Sequence, residues 1–125
     1  MRLLLDTNVV LWWQNGDRRL GAHTRQTIAT ADTVLVSAAV LWEIAIKAHL
    51  GKLDVSLVEV FDLSADGFHE LPIRGVHALV AGELPPHHKD PFDRMIAAQA
   101  QVEKLTLVTS DAIFAKYGVK VLAAH

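Results

Sequence analysis

Apolar residues in this chain come in short runs, and most of the runs stop on polar or acidic residues. Leu3, Leu4 and Leu5 have the unbroken apolar character of a strand buried on both faces of a parallel sheet, and they stop at Asp6, Thr7 and Asn8. The apolar pattern resumes over 9–13 at helical length, and Asn15, Gly16 and Asp17 read as a turn. Residues 22–31 have the spacing of a modest helix. TVLV at 33–36 is a second buried strand ended by Ser37, and AAVLWEIAIKAHL at 38–50 is a helix that Gly51 can close. A further helix is predicted over 54–65, capped by Asp54 or Ser56, and FHELPI at 68–73 is a weaker strand that Pro72 keeps out of a sheet centre. Residues 75–83 predict a short helix ended by Pro85 and Pro86. The segment DPFDRMIAAQAQVE at 90–103 opens on Asp90 as N-cap, with Pro91 at the first helical position. LTLV at 105–108 is a fourth strand, broken at Thr109, Ser110 and Asp111, with a short helix over 112–116 and a fifth strand over 119–122. This alternation predicts an α/β fold: a three-layer α/β/α sandwich around a mostly parallel five-stranded sheet, in one domain over 1–125.

Composition narrows the function classes. A chain of 125 residues buries roughly two-thirds of its unfolded surface. The absence of cysteine excludes disulfides, thiolate zinc sites and cysteine nucleophiles. No apolar stretch approaches the roughly 18 residues of a membrane span, and the N-terminus lacks signal-peptide character, so a cytoplasmic protein without a membrane partner is expected. With 12 Lys plus Arg against 14 Asp plus Glu, bulk charge announces no polyanion partner. Nucleic-acid binding would therefore need local cations, either side chains or bound ions.

Four acids stand where the chemistry of an α/β sheet is done. If strand order reverses between the first and fourth strands, Asp6 and Asp111 lie at the carboxyl ends of neighbouring central strands, at the crevice in which open sheets bind ligands. Asp6 is equally suited to cap the helix that follows. Glu43 lies in a helix whose neighbours are nearly all apolar, so its carboxylate needs a partner; Lys47, four residues on, can supply one. Asp93 can complete a capping box with Asp90 or face the same crevice. Gathered together, the four acids would repel one another, and a hard divalent cation is the natural counter-charge. Oxygen-only ligands favour Mg²⁺ or Mn²⁺ over zinc, and such a site suits phosphodiester hydrolysis. His87 and His88 lack the converging spacing of a zinc site and read as a solvated loop pair. Trp12, Trp13 and Trp42 read most simply as core residues.

In order along the chain, LLLDTNVVLW, SAAVLWEIAIK, HHKDPFDRMIAAQA and LVTSD resemble the PIN domain of VapC-type toxins from prokaryotic type II toxin-antitoxin pairs. The resemblance covers essentially the whole chain. It implies a Mg²⁺-dependent endoribonuclease acting on tRNA or rRNA, silenced by a cognate antitoxin and frequently a homodimer, to which one tryptophan could contribute. It places Asp6, Glu43 and Asp93 at the family's three acidic positions and Asp111 at a fourth, more variable one. By that resemblance Asp6 and Asp93 are the main metal ligands, Glu43 completes the shell or orients the attacking water, and Asp111 acts directly or through a water. Asn8 and Thr109 fall where small polar residues fix carboxylate orientation, although ordinary turn and cap bonding would also account for them. Arg94 and Lys89 flank the site and are candidates for phosphate contact; both could equally be solvated, or Arg94 paired to an acid beside it.

Two other readings are open. An aspartate-nucleophile phosphotransferase also places an Asp after its first strand, but it wants a second acid where this chain has Asn8 and a lysine where it has Ser110 and Asp111. A catalytically silent PIN-like binding module would be expected to have lost an acid, and none of the four is missing.

Overall fold

The computed structural model describes all 125 residues. Strand β1 (Arg2–Leu5) leads into helix α1 (Thr7–Asn15), and α2 (Ala22–Thr30) precedes β2 (Thr33–Ser37) and α3 (Ala38–His49). After α4 (Leu57–Phe61) come β3 (His69–Leu71), α5 (Gly75–Glu83), α6 (Pro91–Glu103), β4 (Thr106–Thr109) and β5 (Val121–Ala123). The five strands form one sheet in the order β3-β2-β1-β4-β5, and every pairing is parallel. The expected α/β sandwich is therefore present, with a fully parallel sheet flanked by helices.

β1 has neighbours on both sides, which is why Leu3, Leu4 and Leu5 are all solvent-free. Pairing of Leu5 with Val108 brings the ends of β1 and β4 side by side, and the Asp6 N–H extends that ladder by donating to the Val108 carbonyl at 3.0 Å. Asp6 and Asp111 thus leave the sheet at the same edge, where the connection reverses from β2 on one side of β1 to β4 on the other. β3 is an edge strand and ends at Leu71, one residue before Pro72, as the missing proline N–H requires.

Two expected helices take another form. The segment predicted as a helix over 54–65 is reduced to α4, started by the Ser56 hydroxyl accepting from the Glu59 N–H, and a 3-10 turn over Leu63–Asp66. Of its apolar residues Val60 and Leu63 are buried, whereas Leu57, Val58 and Phe61 are exposed, so no continuous apolar stripe supports a longer α-helix. The helix expected over 112–116 is a 3-10 helix over Ala112–Tyr117. Phe114 and Tyr117 are its buried residues, and a spacing of three puts both on one face of a 3-10 helix. Trp42 also departs from expectation: it is 62% exposed and meets Phe92 edge-on at 5.3 Å, whereas Trp12 and Trp13 are half-buried against the core. No helix is long and apolar enough to cross a membrane.

If β1 is the mechanical centre, Leu4→Ala should lower unfolding stability by about 3 kcal/mol, while Val58→Ala on the exposed face of α4 should stay within about 0.5 kcal/mol. Urea denaturation of the two variants checks this, and comparable losses would contradict the central burial of β1.

Candidate active site

Five carboxylates, from Asp6, Glu43, Asp90, Asp93 and Asp111, line one cavity of about 240 Å³ together with Thr7, Asn8, Ser110 and a single cationic side chain, Lys47. None of the lining residues is hydrophobic. All four acids expected to gather are therefore gathered, and Asp90 joins them.

Each acid is held differently. Asp6 is indeed the N-cap of α1, its Oδ1 accepting from the Thr7 N–H at 2.7 Å, while its Oδ2 accepts from the Thr109 hydroxyl at 2.6 Å. Capping and site membership coexist, because the capped helix starts at the cavity. Glu43 is 8% exposed; the Thr7 hydroxyl donates to its Oε1 at 2.6 Å and the Lys47 ammonium to its Oε2 at 2.8 Å. The Lys47 pair anticipated from spacing is thus real and lies inside the cavity. Thr7, one residue off the position singled out in the sequence, binds both acids: its backbone serves Asp6 and its hydroxyl serves Glu43. Asn8 lines the cavity and is exposed.

Asp90 caps α6 by accepting from the Phe92 and Asp93 N–H groups, and Pro91 occupies the first turn as expected. The capping box is not formed, because the Asp93 carboxylate faces the cavity instead of the Asp90 N–H and makes no hydrogen bond. Asp111 accepts from the Ile113 N–H through Oδ1 and from the His88 imidazole through Oδ2. His88 is consequently no solvated loop residue; His87 is exposed. Arg94 does not reach toward phosphate or an acid. Its guanidinium donates to the carbonyls of Ala81, Leu84, Pro85 and His88 at 2.8 to 3.2 Å, which ties down the loop before α6. Lys89 remains exposed beside Asp90.

The PIN domain family model matches residues 3–120. The chain belongs to the PIN domain family. It is 31% identical over 112 residues to Ribonuclease VapC22 of Mycobacterium tuberculosis, spanning 87% of this chain and 86% of that protein. Similar solved structures include VapBC2 of Rickettsia felis bound to a DNA fragment from its promoter, at a TM-score of 0.77 and 20% identity over 98% of each chain. A toxin-antitoxin complex from Klebsiella pneumoniae superposes with a TM-score of 0.70 and 21% identity, again over 98% of each chain. These structural likenesses establish the fold.

In this PIN domain, crowding of like charges acts on protons as well as on geometry. Burial, Asp90 and Asp6 together push the Asp93 carboxyl up to about 7. Asp6 is also raised, by burial and by Glu43 and Asp111, against the opposing bonds from Thr109 and Thr7. At Asp111 partial burial is outweighed by the hydrogen bonds from His88 and the Ile113 N–H, which hold it below its usual range. Lys47 is raised, chiefly by its hydrogen bond to Glu43.

The donor set fits a hard cation: it is all oxygen, it carries excess negative charge, and Asp93 has no protein partner. No three of the acids meet at metal-ligand distances as they stand, because Asp6, Glu43 and Asp111 are turned onto Thr109, Lys47 and His88. Asp93, at the start of α6, and Asp6, at the end of β1, both line the cavity.

The Asp93 shift has a thermodynamic consequence with a defined sign. The folded protein keeps this proton up to about pH 7, whereas the unfolded chain releases it near 3.8, so the contribution is present at low pH and disappears as pH rises through that window. Without added metal, the melting temperature of the parent should fall relative to Asp93→Asn between about pH 4 and about pH 7.5. Parallel pH dependence of the two proteins would contradict the shift.

Proposed function

We propose that this PIN domain is a Mg²⁺-dependent endoribonuclease and the toxin of a toxin-antitoxin pair. One observation carries the reading: the unpartnered, proton-retaining Asp93 carboxylate faces a cavity with four further carboxylates and a single ammonium group. The arrangement is costly to a protein that has no use for a cation there. The related ribonuclease supports RNA as substrate, and the related toxin-antitoxin complexes support a cognate antitoxin as partner.

Asp93 and Asp6 would hold the ion, with Asp6 kept in orientation by the Thr7 N–H and the Thr109 hydroxyl. When bound, the ion neutralises charge that develops on the phosphate during in-line attack by water. Mn²⁺ substitutes, since both ions accept oxygen ligands. Glu43, fixed between Thr7 and Lys47, orients the attacking water, and Asp111 completes the negative rim. Lys89, exposed on the loop beside Asp90, remains the candidate for a flanking phosphate, a role that Arg94 cannot fill while it holds four carbonyls. Exposed Trp42 is available to a second copy in a homodimer.

Asp6→Asn and Asp93→Asn should each lower Mg²⁺-dependent cleavage of a structured RNA by roughly 100-fold or more, the scale of losing one electrostatic stabiliser of the transition state. Circular dichroism should show the fold intact. Cleavage retained in both variants would reject the assignment. Glu43→Gln keeps acceptor and shape toward Thr7 while removing the charge, so it should lower kcat far more than melting temperature. A large unfolding penalty with near-parental cleavage would reduce Glu43 to the structural partner of Lys47.

A further inference from the structure

His88 enters the site from outside the acidic set, on the loop between α5 and α6. Its Nε2 lies 2.8 Å from Asp111 Oδ2, and its side chain is only 9% exposed. The ring stacks on Phe114 at 4.5 Å and on Tyr117 at 5.6 Å, with interplanar angles of 30° and 22°. Both aromatics belong to the 3-10 helix that Asp111 itself caps, so one short element supplies the carboxylate and the platform for the imidazole.

The proton arrangement follows from Tyr117. Its hydroxyl oxygen accepts from the His88 backbone N–H at 2.7 Å and lies 3.3 Å from Nδ1. With its oxygen accepting from the backbone, the hydroxyl can donate its own proton to Nδ1, which leaves the ring hydrogen on Nε2, pointing at Asp111. The backbone is held from the other side as well, since the His88 carbonyl accepts from Arg94, the neighbour of Asp93 on α6.

We propose that His88 is a positioning residue of the cleavage site: its Nε2–H holds the Asp111 carboxylate at the cavity rim, in an orientation set by Tyr117, Phe114 and Arg94. This rests on the ribonuclease reading above. The Ile113 N–H takes the other Asp111 oxygen, so removing the imidazole donor frees the Oδ2 side of a carboxylate that is otherwise 36% exposed. Groups that orient a site carboxylate typically matter by about tenfold or more.

His88→Phe retains a ring for the Phe114 and Tyr117 stack and deletes the donor; His88→Gln retains an N–H donor without the ring. The expected result is a kcat for RNA cleavage lowered about tenfold in His88→Phe, with KM and melting temperature close to the parent, and partial recovery in His88→Gln. Combined with Asp111→Ala, His88→Phe should add no further loss. Nitrogen-15 NMR of the metal-free parent should show the His88 hydrogen on Nε2, with its resonance moved by Asp111→Ala. An unchanged kcat in His88→Phe, losses that multiply with Asp111→Ala, or a hydrogen on Nδ1 would each overturn the proposal. Cleavage retained in both Asp6→Asn and Asp93→Asn, with His88 intact, would instead overturn the ribonuclease reading, and the NMR result would still decide the His88–Asp111 pairing.

Discussion

The site depends on the position of β1 between β2 and β4. A strand made of three consecutive leucines is stable only where both faces and both edges are covered, and its end must then emerge at the centre of the sheet's carboxyl edge. That constraint sets Asp6 beside the end of β4, where the Thr109 hydroxyl reaches its Oδ2 at 2.6 Å across a sequence separation of 103 residues. From Asp6 the remaining members are placed by short steps. Thr7 reaches Glu43 on α3, and the Asp111 N–H donates to the same Thr109 hydroxyl at 3.0 Å.

Hydrogen bonding and like-charge repulsion divide the acids into two kinds. Asp6, Glu43 and Asp111 have both carboxylate oxygens engaged by hydroxyl, backbone, ammonium or imidazole donors; at Asp111 these bonds prevail over burial, whereas at Asp6 burial prevails over them. Asp93 has no such donor and retains a proton instead. The protein thus engages three of the acids with its own donors and leaves the Asp93 carboxyl without a protein partner. With a net charge of −2 the domain has no general attraction for a phosphate chain, so a bound ion or a local cation such as Lys89 would have to supply it.

Much of this was legible in the residues because the determining patterns are local. Leu3 to Leu5 before Asp6, and Asp90 with Pro91 before an amphipathic run, announce a buried strand and a capped helix without tertiary information. The mostly parallel sheet followed from strand-helix alternation; Asp6, Asp93 and Asp111 stood out at element ends, and Glu43 as a carboxylate among apolar helix neighbours. What stayed hidden depends on contacts between distant segments. His88 reads as a solvated loop residue because neither Phe114 nor Tyr117 can be seen to face it from sequence, and none of the readings open for Arg94, phosphate contact, solvation or an acid partner, includes the backbone carbonyls it binds, because such partners leave no signature. Thr7 and Asn8 are indistinguishable as turn residues until the helix register turns the Thr7 hydroxyl toward Glu43. Trp42 was misplaced for a related reason: its helix is apolar nearly all round, so periodicity alone could not show which residue remains outside.

The central claim of the proposed function is that one divalent ion binds at Asp6 and Asp93, in the cavity that Glu43 and Asp111 complete. Titration of nitrogen-15-labelled protein with substoichiometric Mn²⁺, read by amide NMR, tests it most directly. The account predicts selective paramagnetic broadening of the amides around Asp6, Glu43, Asp93 and Asp111 together, abolished by Asp93→Asn. Broadening confined to exposed acids elsewhere, such as Asp62 and Asp66, or unchanged in Asp93→Asn, would contradict it.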